Sequence, residues 1–272
     1  MRLDEVEGAP DLPEGPEYGL ENLDGRTRAA LRSLNKQLAE VVGNRLIATA
    51  ALIPFDPEAA LEQAKYARKK ASRVPEVREV VGVAAYMAGQ WSTALSELKA
   101  AQRLTGTLDH VAMIADAERA SGNPERAVDL FREHGKDTKI DVAVRVELLI
   151  VAAGARRDMG QGRAATTMLK VPALHSPKTD PWVARLRYAY AEALLAEGRT
   201  EEGLQWLEQA AAADEFGESG AAERILELEG VDFTDTEDMD AEEDDDPEDD
   251  SESPAESGDR DAEEGDDTPE QR

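Results

Sequence analysis

Residues 77–106, VREVVGVAAYMAGQWSTALSELKAAQRLTG, decide how this chain folds. Apolar residues at Val77, Val80, Val81, Ala84, Ala85 and Ala88 recur at helical spacing until Gly89 and Gln90 interrupt them. The period resumes at Trp91, Ala94, Leu95, Leu98, Ala101 and Leu104. Two amphipathic helices joined by so short a turn make a helical hairpin. Neither helix can bury its apolar stripe alone, so the hairpin requires neighbours of its own kind.

Fixed offsets locate those neighbours. Gly89, Gly122, Gly160 and Gly198 each stand five residues before a small residue: Ala94, Ala127, Ala165 and Gly203. Ala60 extends the series upstream, with Phe55 in the glycine's place. Twelve residues before each lies a second small residue: Ala48, Gly82, Ala115, Ala153 and Ala191. Successive units are 34, 33, 38 and 38 residues apart. Small residues let two helix backbones approach at a crossing, and a glycine in the left-handed region ends a helix without strain. Asp56-Pro57, Asn123-Pro124 and Asp180-Pro181 each pair a capping side chain with a following proline, which predicts helix starts. An apolar stripe from Leu31 through Leu38 and Val42 to Leu46 predicts a capping helix and the first hairpin's leading helix, with a break near Gly43.

Gly82, Gly89 and Ala94, with Leu98, Phe131, Leu169 and Leu207 four residues beyond each second-helix small residue, resemble the tetratricopeptide repeat (TPR) family over residues 40–216. The resemblance implies an all-α fold: a right-handed α-solenoid of about five TPR-like hairpins with flanking helices, residues 219–228 capping the stack. Arg78 and Ala85 stand where the family often has tryptophan and tyrosine, and Pro172 replaces a usual small residue. An irregular helical solenoid therefore stays open as the alternative. The expected division is a disordered acidic Pro/Gly-rich arm (1–24), the repeat domain (25–230) and a disordered polyacidic tail (231–272). Family ligands lie in a concave groove lined by the first helices. Carried onto this chain, that lining is Arg45, Thr49, Val83, Tyr86, Asp116, Arg119, Arg157 and Glu192. The Lys/Asn pattern with which some members clamp a C-terminal carboxylate is absent.

Composition narrows the function classes. With 41% hydrophobic but only 4% aromatic residues, the core must be built from Ala, Leu and Val. The absence of cysteine excludes disulfides and thiolate chemistry and fits a cytoplasmic location. The longest strongly apolar run, residues 46–55, is shorter than the roughly 20 residues that span a bilayer, so no membrane association is expected. Of the net charge of −28, residues 232–272 carry −20 (22 acidic against Arg260 and Arg272) and the remainder −8 (37 against 29). His110, His134 and His175 have no ligand-like spacing, and no phosphate loop or catalytic arrangement is visible, so no metal, cofactor or catalytic residue is assigned. Lys65, Arg68, Lys69, Lys70 and Arg73 form a basic patch, three of them at helical i, i+4, i+8 spacing. Nucleic acid is disfavoured, because interleaved aromatics are missing and the tail repels phosphates. The expectation is a non-enzymatic scaffold that binds another protein, whose identity the sequence does not give. The alternative is an acidic-tail chaperone or assembly factor that masks a basic protein.

Overall fold

Apolar stripes at helical spacing become helices from Gly25 onward in residues 8–230, the part of the chain that the computed structural model describes. Residues 1–7 and the expected tail, 231–272, lie outside the described residues. Among the described residues there are twelve α-helices and no strand. After α1 (Gly25–Leu31) come five pairs: α2 (Lys36–Leu52) with α3 (Pro57–Ala71), α4 (Pro75–Met87) with α5 (Trp91–Thr105), and α6 (Val111–Ala120) with α7 (Pro124–His134). The last two are α8 (Val142–Asp158) with α9 (Gly162–Leu169), and α10 (Pro181–Ala196) with α11 (Thr200–Ala211), before a closing α12 (Ala221–Leu228). Helices pack mainly within a pair and against the adjacent pair. No helix among the described residues is long and apolar enough to cross a membrane.

The small residues sit where the two helices of a pair meet. Ala48, Ala60, Ala94, Ala115, Ala127 and Ala191 are wholly buried. A Cβ on Gly82 would stand 3.1 Å from the backbone nitrogen of Leu98 and closer still to its side chain, so the close approach of α4 to α5 depends on glycine there.

Four of the five turns are one device. Gly89, Gly122, Gly160 and Gly198 have φ of 66°, 86°, 72° and 77°. In each, the next residue's N–H reaches back five residues: Gln90 to Ala85 (2.8 Å), Asn123 to Glu118 (2.9 Å), Gln161 to Arg156 (2.8 Å) and Arg199 to Leu194 (3.0 Å). This is the Schellman closure, which satisfies carbonyls that the helix end leaves orphaned. The α2–α3 turn differs. There Phe55 is 87% exposed, and the N–H groups of Phe55 and Asp56 both donate to the Leu52 carbonyl, at 3.0 and 2.8 Å.

Several local expectations are corrected. Asp56 caps α3 through the Ala59 N–H at 2.9 Å, but Asn123 and Asp180 make no side-chain cap. The Asn123 amide instead donates to Glu118 at 3.1 Å. Helix α2 runs unbroken through Gly43. That glycine makes room for Leu20 and Leu23, whose side chains lie 2.6 and 3.1 Å from where its Cβ would be. Leu20 and Leu23 of the expected arm thus pack against α2. The long third and fourth steps also have visible causes. Helix α8 has 17 residues against ten in α6, and a 3-10 turn, Pro172–His175, buries Leu174 in the core between α9 and α10.

Candidate functional site

The register that puts small residues at the crossings also fixes which residues face away from them. Positions six and three before, and one and four after, the first-helix small residue share one face of α4, α6, α8 and α10. Tyr86, Ala112, Asp116, Arg119, Glu147, Ile150, Gly154, Arg157, Arg185, Tyr188 and Glu192 all stand in that register and line a single open cavity of about 820 Å³. Met87, Met113 and Ala189 complete an apolar floor.

Polar groups around this floor are tied to one another. The Tyr86 hydroxyl donates to Asp116 at 2.7 Å, and Arg119 donates to Asp116 at 3.1 Å and to Asp158 at 2.5 Å. Arg185 holds Glu147 with two bonds, 2.9 and 2.5 Å, and Arg224 of α12 donates to Glu192 at 3.0 Å. Burial, followed by donation to the Asp116 carboxylate, pushes the Tyr86 hydroxyl far above its ordinary pKa. It remains a protonated donor at neutral pH and is no general base. The bond to Asp158 raises the already high pKa of Arg119, and the bond to Glu147 does the same for Arg185. Arg157 is the exception on this rim, since it is exposed and has no ion-pair or hydrogen-bond partner among the described residues. The site is thus an apolar surface edged by neutralised pairs and one open guanidinium. That arrangement suits binding a side chain or helix face, with charge used for orientation.

Of the eight groove residues expected from sequence, Tyr86, Asp116, Arg119, Arg157 and Glu192 are brought together. Val83 packs instead beside the core formed by Leu98 and Val111. Arg45 and Thr49 are corrected outright, being 3% and 0% exposed. Arg45 donates to Gln63 at 2.7 Å and to the Pro10 carbonyl, Gln63 donates to the Asp11 carbonyl at 2.5 Å, and Thr49 donates to the Arg45 carbonyl at 2.8 Å. The reason lies in position along the chain. Glu97, one 34-residue step after Gln63, is held by Arg68 of the preceding pair at 2.7 Å and by Arg78 at 2.8 Å. Gln63 has no preceding pair, and residues 10–11 supply its partner.

Sequence reasoning missed Glu147, Ile150, Arg185 and Tyr188. The signal was present, because these are the same register positions carried six and three residues upstream. The expected basic patch is dispersed. Lys65 pairs with Glu62 at 2.9 Å, Arg68 is spent on Glu97, and Lys70 lies over the Tyr66 ring at 5.4 Å, leaving Lys69 and Arg73 exposed. The histidines also stay apart: His110 is 3.9 Å from Glu79, His134 is 3.7 Å from Glu133, and His175 stacks near Trp206. Comparison with protein-family models, curated proteins and solved structures finds no match, which leaves function to be read from the chain's own geometry.

Proposed function

We propose that this protein is a non-enzymatic scaffold of the cytoplasm, a right-handed TPR-like α-solenoid that binds a segment of another protein in the groove formed by its first helices. One observation carries the reading: equivalent register positions on α4, α6, α8 and α10 converge on one continuous apolar-floored cavity of about 820 Å³. Such a volume lies within the range of ligand clefts. A helical or extended segment would lay apolar side chains over Met113, Ile150 and Gly154 and meet Arg157 with a carboxylate or a carbonyl. The charge asymmetry of the sequence favours a second reading, in which the acidic residues 232–272 hold a basic protein and the helical body carries them.

Co-purification from native lysate separates the two readings, using the full chain, a chain ending at Gly230, and the full chain carrying Ala189→Trp with Arg157→Glu. A partner retained by the shortened chain and lost with the double substitution supports the groove. A partner lost on shortening, and released steeply by salt, transfers function to the tail.

A further inference from the structure

A second cleft, lined mainly by second helices with one residue from a first helix, has a different chemistry. It opens between α7 and α9 at the end of α8, with a volume of about 610 Å³. Its floor is Val128, Phe131 and Met168, and its walls carry Arg132, Arg156 and Arg163. Among the described residues no carboxylate lines it. The groove above includes Asp116, Glu147 and Glu192, and a third cleft, beside α5 and α7, includes Glu133. In a chain of net charge −28, a surface with three guanidiniums and no facing acid is unusual.

Two of the three cations are paired with no acid among the described residues. Arg132 is paired along its own helix with Asp129 at 2.8 Å. Arg156 donates to the neutral amide of Gln161 at 2.9 Å, and the exposed guanidinium of Arg163 has no partner among the described residues. Guanidinium forks pair bidentately with carboxylates, and the half-buried Phe131 and Met168 beside them offer an apolar seat. We propose that this cleft is a second docking site, which takes an acidic peptide segment whose carboxylates flank a large apolar side chain. The apolar residue would sit on Phe131 and Met168 while Arg156 and Arg163 hold the carboxylates. Single-stranded nucleic acid, the other anionic candidate, is disfavoured because base stacking needs successive aromatics and the cleft has only Phe131.

The test is fluorescence anisotropy on the full chain with a labelled peptide of sequence DELEDFEE, against its counterpart with Asn and Gln in place of the acids. Binding of the acidic peptide alone is expected, weakened roughly ten-fold or more by Arg156→Gln with Arg163→Gln, about 1.4 kcal/mol. Arg163→Lys should recover only part of the affinity, because it restores charge without the fork. Both arginines are on the surface, so unchanged thermal melting is expected and confirms that the variants fold. The inference is overturned by equal binding of the neutral peptide, or by no binding of either. Displacement of the peptide by an RNA oligonucleotide at lower concentration overturns it too, as does weakening by Lys69→Gln with Arg73→Gln in place of the cleft variants.

Discussion

At the scale of single residues, two glycines eight positions or fewer apart serve for opposite reasons. Gly82 is required for space, since its missing Cβ would press on the Leu98 backbone at 3.1 Å. Gly89 has open space around it but a φ of 66°. Gly82→Val should therefore destabilise by roughly 1–3 kcal/mol through overpacking, and Gly89→Ala by about 1 kcal/mol through backbone strain. Urea unfolding midpoints check both. The diagnostic is Gly89→Asn, which should recover much of the Gly89→Ala loss because Asn tolerates the left-handed region; Gly82→Asn should recover nothing. Both roles were legible in the sequence, because glycine and alanine recur at fixed offsets only where geometry repeats. Arg45 and Thr49 were not legible. Their type and register match exposed lining residues, and the partner that Arg45 meets is a segment more than thirty residues away in the chain, while Thr49 turns back to the Arg45 carbonyl.

At the scale of elements, the helix boundaries were readable and their chemistry less so. Asp56, Asn123 and Asp180 look alike in sequence, each followed by proline, yet only Asp56 caps its helix with its side chain. Asp56→Ala is expected to cost about 1 kcal/mol, with Asp180→Ala within about 0.5 kcal/mol of the parent, as measured by thermal or urea unfolding. The difference arises at the turns. The Schellman closure before α7 places Asn123 beside Glu118, and the amide is consumed there. Arg78 gives a second case: it stands where the resembled family often has tryptophan, and it spans the Ser72 carbonyl at 2.8 Å and Glu97 at 2.8 Å. A polar tie thus replaces an apolar one. Periodicity reports which face a residue occupies, and says nothing of which partner waits there.

At the scale of the molecule, helices pack mainly on the pairs before and after them, so stability should be distributed locally. Removing residues 1–24 should raise amide exchange in α2 and α3 strongly while leaving α8 to α11 nearly unchanged, as read by hydrogen-exchange mass spectrometry. Uniform loss of protection would instead mean that the chain behaves as one cooperative block. Of the lining carried over from the resemblance, five residues meet in one cavity, while Arg45, Thr49 and Val83 do not. The segment that closes the first pair did not follow from the sequence, because Pro10, Pro13 and Pro16 in an acidic stretch have the composition of an unstructured arm. In fact its carbonyls meet Arg45 and Gln63, and Leu20 and Leu23 cover Val42 and Leu46.

That closure has a bearing on assembly. A stack of like units carries at its leading end a surface shaped to receive another unit, and a head-to-tail contact of that kind between molecules closes into a ring or, where the rotation does not close, grows into a filament. Here the carbonyls of Pro10 and Asp11 accept from Arg45 and Gln63 at the first pair, the place that Arg68 of the preceding pair takes beside Glu97 one step later. If the pairs stack as proposed, this short segment ahead of α2 is a cap on that end, and removing residues 1–24 is expected to raise the apparent mass with concentration in light scattering.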